Sequence, residues 1–310
     1  MKQFIKHSVV FAMGVFLLVF MGLLLPNNNP VRSVDYSLLK KHELLHENNG
    51  SKLILTGGSN VIFGFNSKIL QTKLNKPVVN HAIHAGYGLK YIVEDVFQYV
   101  KKGDIILLSP EYSHFIDNNY LGKEPLLFSL KVKPNNIRLI SLGQLLNVAE
   151  FIPKFSFDRI KSFVYNKLKP SKPNKNEIGN YTEFSINEFG DHYTHWDDKN
   201  KNLTLYNFNG EVNMKVIEFL NNINEEIEKK GAQLILSFPS ICETTYETNK
   251  NTILKIEETL IKNCNFKILD TPEDYVFNDS LFFDTSYHLN KIGIKNRSEK
   301  IAFKLKNEVK

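Results

Sequence analysis

The sequence predicts a three-layer α/β/α fold around a central parallel five-stranded sheet, carried behind an N-terminal transmembrane helix. Three observations support this: short apolar runs alternating with amphipathic segments, one long interruption of that rhythm, and an unbroken apolar stretch at the start of the chain. Short apolar strands separated by helices pair in parallel through right-handed crossovers. Helices then cover both faces of the sheet. With 310 residues, 42% of them hydrophobic, the chain is long enough for one substantial core.

Taken in order, "SVVFAMGVFLLVFMGLLL" (8–25) carries no charge. At about 1.5 Å per residue it spans a hydrocarbon core of roughly 30 Å. It runs into "LLLPNNNPVRS" without a small-residue cleavage site, which favours an uncleaved anchor over residues 1–31 and a domain over 32–310. Lys2 and Lys6 ahead of the span favour a cytoplasmic N-terminus with the body outside the cytoplasmic membrane, while Arg32, Lys40 and Lys41 on the far side weigh against it. "YSLLKKHELLHEN" then has helical spacing. "KLILTGG" reads as a buried strand, "NVIFGFNSKILQTKL" as a helix, "PVVNHA" as a strand, "GLKYIVEDVFQYVKK" as a helix and "DIILLSPEY" as the third strand.

The rhythm resumes with a helix in "EVNMKVIEFLNNINEEIEKKG" and a strand in "AQLILSFPS". A helix in "NTILKIEETLIKN", a strand in "FKILD" and a closing helix in "NKIGIKNRSEKIAFKLKNEV" complete the five-strand count. Between the third and fourth strands, residues 113–208 fit neither strand nor crossover. They hold helical pieces ("IRLISLGQLLNVAEFI", "FDRIKSFVYNKL") and a long polar stretch. Insertions of this size are usually lids or flexible linkers. No internal repeat is present.

Cys242 and Cys264 are too few for a disulfide framework and lack metal-ligand spacing; one bridge or two free thiols remain open. The net charge of +6 is spread along the chain as Lys without a dense basic run. That argues for solubility and attraction to anionic envelope surfaces, and against nucleic acid as a partner.

In open parallel sheets ligands bind at the C-terminal strand ends. The first strand delivers Gly57, Gly58 and Ser59 there, the second Asn80 and "HAIHAGYG", the third "SPEYSH", and "LFFDTSYHLNKIG" precedes the last helix. A serine, a glycine-bearing loop and an Asp/His pair on one rim suit acyl transfer. Ser59 would attack, His288 would act as base and then acid, and Asp284 would fix the tautomer of His288. The N–H groups of Ser59 and Gly86 would receive the oxyanion. Each residue also has an ordinary structural reading. Ser59 would serve as a helix cap, His288 as a surface residue capping the last helix, Asp284 as a turn cap, and Gly86 and Gly88 as turn glycines. Asn80 would serve as a turn residue. Glu111 and His114 share the rim, where they would touch substrate or simply face water.

"GGSN" after the first strand, "NHAIHAGYG" after the second and "DTSYHLNKIG" before the last helix together resemble the SGNH (GDSL-like) hydrolase superfamily. The likeness is to its membrane-anchored branch, which includes the alginate O-acetylation and teichoic-acid D-alanylation proteins. It covers most of residues 50–112 and 230–305. The resemblance implies Ser59 as block I nucleophile, Gly86 as block II oxyanion donor, and Asp284 with His288 as block V acid and base. The chain departs from the family pattern in three places: "GGSN" replaces a GDS sequence, three residues separate Asp284 from His288 instead of two, and "SPEY" stands where a GxND block supplies an oxyanion-hole asparagine. Asn80 or Asn60 would substitute there, or two donors would serve.

The expected activity is a serine-dependent acyl esterase or O-acyltransferase on a cell-envelope polysaccharide, requiring no cofactor. The resemblance implies a multi-pass membrane acyltransferase as donor-side partner. The alternatives are an anchored, non-catalytic polymer-binding or scaffold subunit and a cytoplasm-facing lipid esterase. Within "GDHYTHWDD", Asp191, His192 and His195 have spacings a metal would accept, but no further ligand pair accompanies them, so no metal is expected. Trp196, the one tryptophan, would stack on a sugar ring or plug the insertion.

Overall fold

The computed structural model describes residues 1–25, 33–47, 50–169 and 181–308. The expected boundary at residue 31 and residues 170–180 of the polar stretch lie outside them. An N-terminal helix α1 (Lys2–Leu24) is followed by α2 (Ser37–Glu47). Strand β1 (Leu53–Gly57), helices α3 (Ser59–Ile62) and α4 (Ser67–Leu74), β2 (Val78–Asn80), α5 (Leu89–Phe97) and β3 (Ile105–Ser109) form the first half of the sheet. The insertion carries α6 (Phe128–Val132), α7 (Leu142–Asn147) and α8 (Ile152–Leu168). Then come α9 (Met214–Lys229), β4 (Gln233–Leu236), β5 (Ile241–Cys242), α10 (Glu243–Asn263), β6 (Lys267–Ile268), β7 (Val276–Phe277) and α11 (Lys291–Leu305).

Five strands form one parallel sheet in the order β2-β1-β3-β4-β6, with Leu53 opposite both Val78 and Ile105, and Ile105 opposite Gln233. Every residue of β1 and β3 is buried, as expected of strands covered on both faces. Helices α5 and α9 pack together, and α4 packs against α11. The strand order reverses between β1 and β3, and that switch point places the ends of both strands around one crevice. The α/β class with a central five-stranded parallel sheet is therefore as the sequence predicts. The pair β5 and β7, a separate two-stranded sheet, was not legible.

Two further differences bear on the site. The single helix expected over residues 60–74 is broken into α3 and α4. A side chain at Gly64 would collide with the Asn60 carbonyl and the Arg297 guanidinium, so the break leaves room for that arginine. The polar part of the insertion is not a loose linker: Asp191, His192 and His195 are fully buried. The Asp191 carboxylate accepts from Ser67 N (2.7 Å), Ser67 Oγ (2.6 Å) and Asn80 Nδ2 (2.9 Å), and Asn80 N donates to Phe189 O. These bonds fasten the insertion to the end of β2.

Helix α1 is long and apolar enough to cross a membrane, and its residues are exposed apart from the last turns. Cys242 and Cys264 are both free thiols, the first buried and the second half-buried.

Candidate active site

Ser59 sits where β1 turns into α3, and the turn is possible because of two glycines. Gly57 has φ +154°, and a side chain there would strike the Ser109 carbonyl of β3. A Cβ on Gly58 would lie 2.7 Å from Glu111 Oε1 and 2.9 Å from the Ala85 Cβ. Only glycine lets the β1 turn approach the ends of β2 and β3 this closely. The Ser59 N–H, first of its helix, has no partner among the described residues.

The Ser59 hydroxyl donates to Glu111 Oε1 at 2.9 Å, and Asn60 N donates to the same oxygen at 3.3 Å. Glu111 is positioned by the short helical turn that follows β3, where its own N–H donates to His114 Nδ1 at 3.2 Å. His114 Nε2 then donates to Ala85 O at 2.9 Å, which fixes its tautomer. Burial lowers the His114 pKa and favours this neutral form.

Asp284 and His288 meet on the loop before α11: Asp284 Oδ1 accepts from His288 Nδ1 at 2.8 Å. Tyr181 OH donates to the other oxygen, Oδ2, at 2.6 Å. Burial alone would raise the Asp284 pKa, but the hydrogen bonds from His288 and Tyr181 and the charge of His288 hold it below the ordinary value. The carboxylate thus stays ionised. His288 Nε2 is left without a hydrogen-bond partner among the described residues. Its ring stacks on Phe63, with centroids 4.1 Å apart and planes inclined by 16°. Phe63 N donates to Ser59 O at 2.9 Å, so Ser59 and Phe63 lie one turn apart on the same helical face. His288 therefore stands beside the face that carries Ser59, yet no hydrogen bond joins them.

The remaining expected residues separate. Gly86 N donates to the exposed His84 Nδ1 at 2.9 Å and is occupied in this conformation. Asn80 is fully buried, with both amide hydrogens spent on Val61 O and Asp191 and its oxygen accepting from Ala82 N. It holds the scaffold and does not line the cleft. Asn60 is likewise engaged: its amide donates to Ser109 O, and its carbonyl accepts from Arg297.

Arg297 is a residue that sequence reasoning missed. It is fully buried, donating from Nη1 to Asn60 O (2.7 Å) and from Nη2 to Ser109 Oγ (2.9 Å), with Phe65 stacked at 4.2 Å. Among the described residues no carboxylate is bonded to it, and burial lowers its pKa to about 10. The guanidinium thus clamps the residue after Ser59 to the end of β3 from below. Its signal was scarcity: four arginines stand among 39 basic residues.

His192 and His195 gather around the ring on which His288 stacks. Both pack on Phe63, their Nδ1 atoms lie 3.0 Å apart, and His195 Nε2 donates to Leu289 O at 3.0 Å. Burial lowers the His195 pKa to about 4. His195, held neutral by burial, and His192 together brace Phe63 beneath the ring of His288. A second cluster, His42, His81 and Asp95, lies behind β2. Both imidazole Nε2 atoms contact Asp95 Oδ2, at 2.8 and 2.9 Å. Ligands of one tetrahedral ion with bonds of 2.0–2.1 Å sit about 3.3 Å apart. The spacing is that of shared protons.

A cavity of about 410 Å³ opens over Ser59 and Glu111 and is lined also by His84, Asn119, Tyr206 and Tyr287. Tyr206 stacks on Tyr287 with centroids 5.6 Å apart. Trp196 lies outside this cavity, packed against a small cluster with Phe282 and Leu289 and bordering a separate hollow of about 580 Å³.

No family model matches the chain, and no curated protein matches it. Solved structures do align with it, among them the following two. One is an active site mutant of a family two carbohydrate esterase from Clostridium thermocellum, 9% identical, covering 84% of this chain with a TM-score of 0.35. This chain spans 64% of that esterase's length. The other, from Streptococcus pneumonia, is described as a platelet activating factor; it is 11% identical and covers 88% of this chain and 91% of its own, with a TM-score of 0.37. At such distance neither likeness carries the functional argument, which rests on the geometry of Ser59, Asp284 and His288.

Proposed function

We propose that this chain is a membrane-anchored, SGNH-like acyl esterase or O-acyltransferase working on a cell-envelope polysaccharide through Ser59, His288 and Asp284. The observation that carries the reading is the Asp284–His288 pair. Its Nδ1 side is anchored on an ionised carboxylate, its Nε2 is unbonded, and its ring rests on the helical face that presents Ser59. That is the arrangement a general base requires.

In the reaction, Ser59 turns from Glu111 to His288. Its Oγ attacks the acyl carbonyl as His288 Nε2 takes the proton, and Asp284 stabilises the imidazolium. The oxyanion is received by the unbonded Ser59 N–H, joined by Gly86 N–H when His84 gives way to substrate. Collapse of the tetrahedral species breaks the ester bond, and His288 returns the proton to the leaving oxygen. The acyl-Ser59 ester is then resolved by a sugar hydroxyl or by water. A cleft with stacked tyrosines and with Asn119, Asn207 and Asn209 on its walls suits a hydroxyl-rich ligand. Transfer would draw its acyl group from a multi-pass membrane acyltransferase on the donor side, and α1 would hold the domain at the extracytoplasmic face.

The test is a serine-directed fluorophosphonate probe on the full-length chain. Labelling is expected at Ser59, absent in Ser59→Ala and slowed at least about a hundredfold in His288→Gln. A folded protein that takes no label at Ser59 would sink the enzyme reading. In its place would stand an anchored, non-catalytic polymer-binding subunit, which the Ser59–Glu111 and Gly86–His84 hydrogen bonds favour.

A further inference from the structure

Helix α8 stands out from the other surface helices because it is apolar on two opposite sides. One side packs inward through Phe155, Ser156 and Arg159. There it lies against the end of α1: Gly22 approaches so closely that a Cβ would be 2.6 Å from Ser156 Cβ, and Arg159 Nη1 donates to Leu23 O at 2.9 Å. The other side exposes Phe157, Val164, Tyr165 and Leu168, with 61%, 48%, 60% and 76% of their surfaces accessible. These positions, at i, i+7, i+8 and i+11, fall on a single face of a 3.6-residue helix.

A helix on the surface of a water-soluble domain keeps its outer face polar. Here the outer face is mainly apolar and its charges are basic: at about 100° per residue the exposed Lys154 and Lys161 fall among the apolar residues and Lys167 at their border, against Asp158 alone. An apolar face interspersed with lysines, whose stems reach outward to the phosphates, is the composition of a helix that lies in the headgroup region of an anionic bilayer. The helix also lies beside a surface of that kind, because its inner side packs directly on α1, whose own apolar residues are exposed along most of its length.

We infer that α8 is a second membrane contact, an interfacial helix whose Phe157–Leu168 stripe lies in the leaflet that α1 leaves, among anionic phospholipid headgroups. This rests on α1 spanning the bilayer. The consequence is orientation: a single span is a flexible tether, whereas a span with an interfacial helix locked against it fixes which side of the domain faces the lipid.

The test uses full-length protein in vesicles of phosphatidylcholine mixed with phosphatidylglycerol. Single tryptophans are placed at Leu168→Trp, Phe16→Trp and Phe303→Trp, each in a Trp196→Phe background, and lipids brominated in the upper acyl chain act as quencher. Leu168→Trp is expected to be quenched to an extent comparable with Phe16→Trp, while Phe303→Trp, on an exposed site of α11, responds only to aqueous iodide. Adding Lys154→Glu and Lys161→Glu is expected to reduce the Leu168→Trp quenching several-fold. If Phe16→Trp is quenched but Leu168→Trp behaves like Phe303→Trp, the stripe faces water or a protein partner and the inference is overturned. If Phe16→Trp itself is unquenched, the anchor reading falls and this inference falls with it. Fluorophosphonate labelling of Ser59 reports on the chemistry independently of either result.

Discussion

On the proposed reading the one hydrogen of the Ser59 hydroxyl has two claimants. Glu111 holds it in this conformation, while His288 waits one turn away with an unbonded Nε2. A hydrogen bond to a carboxylate contributes about 1 kcal/mol more than one to a neutral acceptor. Glu111→Gln should therefore release Ser59 toward His288 and raise its fluorophosphonate labelling rate by a few-fold. A large fall in rate would instead make Glu111 the base. Neither outcome was legible in "GGSN" or "SPEY", because the two segments meet only when β1 and β3 lie side by side. Lys41 offers a second residue-scale test. It is fully buried against Ala82 O, and burial lowers its pKa to about 7, below the ordinary value of 10.5. Between those values the unfolded chain binds the extra proton, so the lysine's burden on stability is full below pH 7 and fades as pH rises to about 10.5. Lys41→Met should stabilise the protein most below pH 7. Its advantage in urea unfolding should then shrink by at most about 1.4 kcal/mol per pH unit above that.

At the scale of elements, the turn from β1 into α4 is where the chain is most constrained. Gly57 and Gly58 admit the β3 end, Gly64 admits Arg297, and the Asn66 N–H donates to Ser298 Oγ at 2.9 Å. From sequence the strand and the following helical pattern were readable because their apolar spacing is local. The break at Gly64 was not, since its cause lies more than 230 residues further on in α11. The insertion shows the same limit: its polar composition suggested a linker, yet its polar residues are the ones that bond the scaffold. Asp191 accepts at both oxygens, so Asp191→Asn would turn one acceptor into a donor facing donors. Two orphaned groups cost about 2–4 kcal/mol. Urea unfolding should show that loss, and limited proteolysis should gain a cut within residues 181–202.

Across the whole molecule, the sheet was legible and the site was legible in part. Five apolar runs of strand length, separated by helical spacing, allow few arrangements, and β2-β1-β3-β4-β6 is one of them. The pairing of Asp284 with His288 followed from their place before the last helix. Arg297 did not, because an arginine in a lysine-rich helix reads as solvent-facing until the helix is docked. Arg297→Met removes a buried charge along with its hydrogen bonds, so the two effects on stability oppose each other. The midpoint of urea unfolding should move little, while Ser59 labelling slows at least about tenfold as the turn loses its clamp.

The route of that clamp through the chain has a consequence for biogenesis. Ser59 lies near the start of the domain, whereas Asp284, His288 and Arg297 all follow β6, the last strand of the five-stranded sheet. During synthesis almost the whole sheet can assemble before any of them emerges. A nascent chain at that stage thus carries Ser59 without its proposed base. On the proposed reading, acyl chemistry starts only when α11 docks, so the last helix of the domain is its own licence to react.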